Sequence, residues 1–346
     1  MMSAADTIRF GLIGYGAWGR LHAQSITAAE GASLVAICCH NDESATAAKQ
    51  DYPDATIYRD YHDLVRDPGV DVADVVTPND LHANMGVAAL EAGKDVLLEK
   101  PMANTIVDCD RLLAAAQENH RVLTVGHELR LSSQWGQVKT MIDAGDIGTP
   151  RYANLSLFRH PFRLGSGGWR HTPRRVGSWM LEESIHFFDL LLWYFASWGD
   201  PLSVRAFGNN TGGDAGMCDN FTAVLKFRDE LYAVLTQSLL GFEHHLVMEV
   251  SGDKGAIRTL WSGERDRTTQ PAFEFKVLPA GADRCETVPL DESGEVFELA
   301  EQIRQTVAAM RERRPLMPGA EARKSVVTCL EAERSRREGR EIELRF

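Results

Sequence analysis

The chain has 346 residues, of which 44% are hydrophobic and 25% are charged. This length favours two domains, because a single hydrophobic core rarely grows past about 250–300 residues. The formal net charge of -12 argues against a nucleic-acid partner or an anionic membrane surface. The most apolar stretch, Phe187 to Trp198, is too short to span a bilayer, and no signal peptide precedes the first predicted strand. The six cysteines show no metal-ligand spacing, so we expect no metal and a reducing, cytoplasmic location.

The N-terminal segment contains the most informative motif. An apolar run that begins at Ile8 predicts a buried strand, which stops at Gly14-x-Gly16-x-x-Gly19 before a helical pattern. Three glycines there let the strand turn sharply and let backbone N–H groups approach a pyrophosphate. The N-terminus of the helix, with Ala17 and Trp18, offers unpaired N–H groups and a partial positive charge to that anion. The position of this glycine motif between a strand and a helix favours dinucleotide binding. The alternative is a glycine-rich turn whose only role is close packing of the backbone.

Strands and helices alternate from Ile8 to about Gly126. After the first pair, the predicted strands are 34–39, 70–77, 95–99 and 122–126, and the predicted helices are 44–50, 84–92 and 107–119. Strands separated by helices predict an α/β domain with a doubly wound parallel sheet. We therefore assign residues 1–126 to a dinucleotide-binding Rossmann domain, with ligands beyond the carboxyl ends of its strands.

The pattern changes after Gly126. One helix is predicted at 134–144, and strand signals then dominate at 151–159, 202–208, 221–227, 232–238, 245–251 and 256–260. A final helix is predicted at 320–338, after an amphipathic stripe formed by Val296, Leu299, Ile303, Val307 and Met310. We predict that residues 127–346 form an α+β domain on a large, mostly antiparallel sheet, whose C-terminal helix can pack back on the first domain. The exposed face of such a sheet suits a homodimer or homotetramer.

Two segments at strand ends suggest chemistry. Thr77-Pro78-Asn79-x-x-His82 follows a predicted strand at its carboxyl end and could border the nicotinamide half of a dinucleotide. Glu99-Lys100-Pro101 ends another parallel strand, so Lys100 should project toward the same crevice. A lysine there could hold a substrate hydroxyl and stabilise the alkoxide that develops in the reaction. Taken alone, Lys100 is better explained as a solvated lysine before a proline.

A third segment places ionisable groups in an apolar helix. Glu182, His186 and Asp189 lie at i, i+4 and i+7, near one face. A carboxylate one turn before a histidine can orient the ring and tune its proton affinity for general acid–base catalysis. The alternatives are a hydrogen-bonded core histidine at His186 and a structural ion pair at Asp189.

These segments, in this order, resemble the Gfo/Idh/MocA oxidoreductases over essentially the full length of the chain. The Lys-Pro segment at Lys100 is the most specific of them. The resemblance implies a Rossmann domain, a C-terminal sheet domain, a nicotinamide cofactor (NAD or NADP), and a sugar, sugar acid or cyclitol substrate. It also implies that Lys100 contacts the reacting hydroxyl and that His186 is the acid–base residue. The alternatives are a glycoside-cleaving enzyme that uses NAD transiently and a non-catalytic ligand sensor.

The chain departs from the family pattern at two places. Glu182 stands where the family commonly has aspartate, and the extra methylene can move the carboxylate. The end of the second strand presents Cys39 and His40 instead of the acidic residue that would bind the ribose 2′-hydroxyl of NAD. The sequence therefore selects neither cofactor clearly, and we favour NAD because no cation is evident for a 2′-phosphate.

Substrate-binding residues are predicted on a loop and after a strand. Arg163, Trp169 and Arg170 lie in a Gly-rich loop before the Glu182 segment. Arginine side chains bind carboxylate or phosphate groups bidentately, so this loop could recognise an acidic sugar. Pairing of these arginines with the protein's own carboxylates is an equal alternative. Glu128, just after the strand that ends at Gly126, is expected to face the substrate.

Overall fold

The computed structural model describes residues 7–211 and 217–346. Contacts divide the chain into two compact units. The first unit comprises the described residues up to His127, Arg174–Val176 and Leu299–Val326, and the second comprises Glu128–Pro173, Gly177–Glu298 and Val327–Phe346. Among the described residues, no helix has the length and apolar character that crossing a membrane requires.

The first unit contains a parallel sheet. Its strands are β1 (Ile8–Ile13), β2 (Ala32–Cys38), β3 (Thr56–Tyr58), β4 (Val72–Val75), β5 (Asp95–Glu99) and β6 (Leu123–Gly126). The connecting helices are α1 (Ala17–Ala28), α2 (Asp42–Asp51), α3 (Tyr61–Arg66), α4 (His82–Glu91) and α5 (Ile106–Glu118). Over the described residues the strand order is β3-β2-β1-β4-β5-β6, which confirms the predicted doubly wound sheet. The short β3 and α3 were not predicted from the sequence.

Two apolar clusters pack on the face of this sheet that α1 covers. One cluster contains Phe10 and Leu97, and a second contains Leu12 and Ala48. The predicted amphipathic stripe belongs to α9 (Glu295–Arg311) and supplies the first cluster with Leu299, Ile303, Val307 and Met310. A parallel sheet needs apolar cover of this kind, since its strands are apolar on both faces.

The second unit is built on a mostly antiparallel sheet, as predicted. Its strands are β7 (Pro150–Phe158), β8 (Ser203–Asn209), β9 (Asn220–Lys226), β10 (Tyr232–Ser238), β11 (His244–Gly252), β12 (Ala256–Gly263), β13 (Ala272–Leu278), β14 (Glu286–Thr287) and β15 (Ile342–Glu343). Within the described ranges their order is β14-β13-β12-β11-β7-β10-β9-β8-β15, and β7 runs parallel to β10. The remaining helices are α6 (Trp135–Ala144), α7 (Pro173–Val176), α8 (Ile185–Tyr194) and α10 (Gly319–Glu338).

The two faces of the second sheet differ in burial within the unit. On β7, Leu155 is buried while the adjacent Asn154 and Ser156 are partly exposed. On β10, Leu235 is buried and Val234 is partly exposed. Because successive side chains of a strand point to opposite faces, one face is packed and the other is accessible in this unit.

Candidate functional site

The turn between β1 and α1 has the geometry of a phosphate cradle. Gly14 has a φ of +107°, and a Cβ there would lie 2.1 Å from a backbone carbonyl oxygen. A Cβ on Gly19 would lie 2.1 Å from the carbonyl oxygen of Gly14. Gly16 is the N-cap of α1, and a Cβ on it would meet no atom within 4 Å. Since the first amides of α1, from Ala17 and Trp18 onward, have no intrahelical acceptor, a pyrophosphate fits the open space beside Gly16.

Two alanine substitutions should distinguish the contribution of this turn to stability from its contribution to NADH binding. Gly19→Ala forces a Cβ against the backbone and should lower the free energy of unfolding by about 1–3 kcal/mol. Gly16→Ala meets no protein atom, so stability should be unchanged, but the methyl group narrows the cradle and should weaken NADH binding by about tenfold. Denaturant unfolding and calorimetric titration measure the two effects. A Gly16→Ala variant that binds NADH as tightly as the wild type would contradict the cradle.

The end of β2, where the ribose is expected, presents a buried Cys39 and an exposed His40. Arg59, directly after β3, donates from Nη2 to the carbonyl oxygen of His40 at 3.4 Å and pairs with Asp42 at 3.0 Å. The expectation that no cation lies near this position is therefore wrong. Parallel neighbouring strands end at the same edge, so the residue after β3 comes beside the residues after β2.

The predicted Thr77–His82 segment is tied to the segment after β5. The two ring nitrogens of His82 lie 2.8 Å from the carbonyl oxygen of Thr77 and 2.7 Å from that of Pro101. Asn79 is buried, and its Nδ2 donates to the carbonyl oxygen of Val176 at 3.0 Å. His82 and Asn79 therefore hold the backbone at the carboxyl edge of the parallel sheet. Pro78 begins the turn that they hold.

A buried cluster of charges, which was not predicted from the sequence, lies behind Lys100. His22 on α1 approaches Asp74 Oδ2 on β4 at 2.8 Å and Glu99 Oε1 on β5 at 3.1 Å. Burial disfavours a charged ring, but the two carboxylates raise the pKa of His22 to about 10. The imidazole is therefore positively charged at neutral pH, and it joins the helix of the glycine turn to two strands.

Glu99 extends this cluster to the predicted lysine. Its Oε2 accepts the backbone N–H of the half-buried Lys100 at 3.2 Å. The cluster thus holds the backbone from which Lys100 projects. Two signals could have revealed it. Asp74 interrupts the apolar run of a buried strand, and His22 follows Gly19 by three residues on the buried face of α1.

His186 lies in the first turn of α8 and is 6% exposed. The preceding residues, Met180–Ser184, form a π-helical turn. The regular α-helical spacing assumed for Glu182 and His186 is therefore wrong, because a π turn closes over five residues instead of four.

Two carboxylates are relevant to the environment of His186. Glu182 Oε1 accepts a hydrogen bond from Arg170 Nε at 2.8 Å, and Oε1 of the buried Glu128 lies 4.0 Å from His186 Nε2. Glu128 is thus a second carboxylate near this ring, at a separation longer than a hydrogen bond.

Asp189 has a structural partner. Both of its oxygens accept hydrogen bonds from Arg130, at 2.7 and 2.8 Å, in a buried bidentate ion pair. Arg130 and Glu128 share the short 3₁₀ turn Glu128–Leu131 after β6. The ion pair therefore anchors this turn to α8, the helix that carries His186.

The arginines of the Gly-rich loop contact carboxylates of their own unit. Arg163 pairs with Asp266 at 3.1 Å and Arg170 with Glu182 at 2.8 Å. The Arg170 guanidinium also lies 5.0 Å from the centre of the Trp169 ring. These contacts match the alternative of arginines paired with the protein's own carboxylates. Recognition of an acidic sugar by Arg163 and Arg170 stays a prediction.

Neither a disulfide nor a metal site is found among the described residues. All six cysteines are free thiols, and five of them are buried. Burial raises the pKa of Cys109 to about 12, which keeps that thiol protonated. Over residues 7–211 and 217–346, no group of three or more His, Cys, Asp and Glu residues has a geometry that could hold a metal ion.

Two family models match the chain. The model of an oxidoreductase family with an NAD-binding Rossmann fold, GFO_IDH_MocA, matches residues 8–127. The model of the GFO/IDH/MocA C-terminal domain matches residues 135–258. Together they span more than half of the chain.

Similarity to individual proteins supports the same family. Inositol 2-dehydrogenase of Salmonella typhimurium is 34% identical over 190 residues, 54% of each chain, so the match spans about half the length of that relative. The uncharacterised oxidoreductase YdgJ of Escherichia coli is 31% identical over 255 residues, 73% of this chain and 71% of that protein. The crystal structure of an oxidoreductase domain protein from Kribbella flavida has the same fold, with a TM-score of 0.86 at 22% identity over 98% of this chain and 100% of that one. The chain therefore belongs to the Gfo/Idh/MocA oxidoreductase family, and its N-terminal part is the family's NAD-binding Rossmann domain.

Proposed function

We propose that the protein is an NAD(P)-dependent dehydrogenase that oxidises a hydroxyl group of a neutral sugar or cyclitol, or reduces the corresponding carbonyl. In this proposal residues 1–126 bind the dinucleotide and residues 127–346 bind the substrate. The observation that carries it is the carboxyl edge of the parallel sheet, where the glycine cradle, the Thr77–His82 turn and Lys100 follow neighbouring strands. Similarity to an inositol 2-dehydrogenase supports a polyol substrate.

The chain's own residues would position the substrate and move one proton. With its pyrophosphate at the cradle of Gly14, Gly16 and Gly19, the bound dinucleotide would supply the hydride acceptor or donor in its nicotinamide ring. Lys100 would donate a hydrogen bond to the reacting hydroxyl and stabilise the developing alkoxide. His186 would accept the hydroxyl proton, with Glu128 or Glu182 orienting its ring.

The ion pairs of the second unit favour a neutral substrate over an acidic one. Arg163 and Arg170 each already have a carboxylate partner. An acidic sugar would have to share the guanidinium with that partner, or displace it and leave a buried carboxylate such as Glu182 unpaired, which is costly. Ionised carboxylates such as that of Glu182 only accept hydrogen bonds. They therefore suit the O–H donors of a polyol.

A substrate screen tests the proposed function. Myo-inositol, other cyclitols, neutral sugars and sugar acids should be offered with NAD and with NADP, because Arg59 lies beside His40 at the expected ribose position. We expect reduced cofactor to accumulate with a neutral polyol. A glycoside-cleaving enzyme would release an aglycone without this accumulation, and a ligand sensor would bind without turnover. No turnover of any compound with either cofactor would refute the dehydrogenase proposal.

We also propose that the protein works in the cytoplasm as a homodimer or homotetramer that pairs through the accessible face of the second sheet. Large apolar side chains on this face are exposed in the single chain. Phe158 is 37% exposed, Tyr232 44% and Phe207 58%. Large exposed apolar side chains on one face of a sheet favour an interaction site there.

A single lysine should test the pairing face. Val234 lies at the centre of this face on β10 and is partly exposed. Val234→Lys would bury a charge in a symmetric interface, so we expect the mass in analytical ultracentrifugation to fall to that of one chain. Ala300→Lys, at an exposed position of α9, is the matched control and should keep the wild-type mass. A Val234→Lys protein with the wild-type mass would contradict pairing through this face.

A further inference from the structure

The second unit contains a small cavity beside His186. Its volume is about 30 Å³, and a cavity needs roughly 10–15 Å³ to hold a water molecule. It lies among the start of α8, the strands β11 and β12, and the N-terminal turn of α9. Its ionisable lining consists of Glu183, His186, His244, Asp266, Glu295 and Glu298.

Two buried side chains at this cavity have a polar atom without a protein partner. Glu298 is 2% exposed, and its Oε1 accepts hydrogen bonds from the Gly294 N–H at 2.9 Å and from Ser293 Oγ at 3.2 Å. Within the described residues, Glu298 Oε2 and His244 Nδ1 have no hydrogen-bond partner. His244 is 4% exposed. Buried polar atoms of this kind are usually satisfied by an ordered water, which bonds to two to four polar groups.

Two carboxylates of the cavity lining are held in place by ion pairs. The buried Arg159 pairs with Glu183 at 2.8 Å and with Asp266 at 3.0 Å. Although burial opposes ionisation, Arg159, Arg267 and Arg163 lower the pKa of Asp266 to about 2. Asp266 therefore stays ionised at neutral pH and does not accept a proton there.

Glu295 connects the cavity to solvent. Its side chain is 23% exposed and lies 3.6 Å from Arg267 Nε. Burial and the nearby Asp266 and Glu183 raise the pKa of Glu295 to about 7, against the opposing charges of Arg267 and Arg159. Burial lowers the pKa of His244 to about 4, so this ring is neutral at neutral pH and can both donate and accept a hydrogen bond. Glu295 can thus gain and lose a proton near neutral pH.

We propose that the cavity binds a water molecule through which the proton leaves His186, and that Glu295 passes this proton to solvent. The inference rests on the proposed function, in which His186 takes the proton of the substrate hydroxyl. The substrate loses this proton and a hydride, and becomes a carbonyl compound as the nicotinamide is reduced. The imidazolium then gives its proton to the water, which gives one of its own to Glu295, and the carboxylic acid releases it to bulk water. Carbonyl reduction uses the same steps in reverse.

Glu295→Gln tests this route, because the amide keeps the shape of the side chain but cannot carry the proton. Stopped-flow mixing of enzyme, oxidised cofactor and the polyol oxidised fastest in the screen should follow two signals. The absorbance of reduced nicotinamide reports hydride transfer, and a pH-indicator dye reports the released proton. In the wild type the two signals should rise together. In Glu295→Gln the proton should lag hydride transfer by about tenfold or more, and added imidazole should shorten the lag.

Two further variants complete the test. Glu292→Gln changes an exposed glutamate three residues away and should show no lag. Glu295→Asp keeps a carboxyl group and should restore most of the proton release, which a purely structural role would not predict. Proton release in Glu295→Gln that coincides with hydride transfer would overturn the proposal, as would a lag of equal size in Glu292→Gln.

The apoenzyme offers a readout that needs no turnover. Infrared difference spectra between about pH 6 and about pH 8 should contain a titrating carboxyl band in the wild type that is missing in Glu295→Gln. Persistence of the band in Glu295→Gln would overturn the assignment of the proton to Glu295. If His186→Gln leaves hydride transfer unchanged, the proposed function fails at His186 and this route fails with it. If His186→Gln slows hydride transfer and Glu295→Gln shows no lag, only the proton route fails.

Discussion

Lys100→Met should lower kcat by about 10²–10⁴-fold, the range expected when a group that donates to the reacting oxygen is lost. Methionine has a similar length but neither charge nor N–H donors, so the developing alkoxide would lose its charge-assisted hydrogen bond. Affinity for NADH should stay within about threefold, because the glycine cradle is untouched. Steady-state kinetics and calorimetric titration measure the two quantities.

Neighbouring residues hold the backbone at Lys100. The backbone N–H of Lys100 bonds to Glu99 Oε2, and His22 and Asp74 hold that carboxylate from inside. These contacts hold the backbone, while the Lys100 ammonium acts on the cluster through its charge, which adds to the effect of His22 in lowering the pKa of the buried Glu99. Lys254→Met, in the exposed turn between β11 and β12, makes the same chemical change as a control and should keep wild-type kcat. Near-wild-type turnover of a genuine substrate by Lys100→Met would remove the lysine from the mechanism.

His186→Gln should slow hydride transfer in a single turnover by about 10²–10⁴-fold. The hydroxyl proton must leave as the C–H bond breaks, and an amide cannot accept it. Glutamine is polar and near in size to the histidine, so the buried position should tolerate it. Stopped-flow absorbance of reduced nicotinamide measures the rate. His62→Gln, at an exposed position of α3, is the matched control and should react at the wild-type rate.

The double variant tests whether Lys100 and His186 act on one hydroxyl. Residues that stabilise the same transition state as a unit show non-additive losses. We therefore expect Lys100→Met combined with His186→Gln to be scarcely slower than the worse single variant. Losses that multiply would mean that the two side chains act independently.

Much of the fold was predictable because local patterns and tertiary contacts agree. The apolar strand, the Gly14–Gly19 turn and the following helix occur where the sequence predicts them. The stripe on α9 is likewise buried against the first sheet, since residues three and four apart share one helix face. The bounds of the longer elements mostly differ from the predicted ones by one or two residues.

The main errors at the site arise where tertiary structure overrides local spacing. The π turn at Met180–Ser184 shifts Glu182 relative to α8, and nothing in the residue spacing signals the extra residue. Arg59 reaches His40 only because β3 lies beside β2. The Arg159 network and the cavity beside His186 depend on residues far apart in the chain, which spacing does not relate.

The sequence by itself determined the class of protein: a nucleotide-binding parallel sheet followed by a mostly antiparallel one, with Lys100 at the end of a parallel strand. These features follow from patterns within single elements, where hydrophobic period and glycine geometry act over a few residues. Only the tertiary structure decided which charges are paired. The partners of His22, Arg159, Arg170 and Asp189 come from other elements of the fold. The stability of a buried charge depends on what surrounds it in space, and local order along the chain does not encode that.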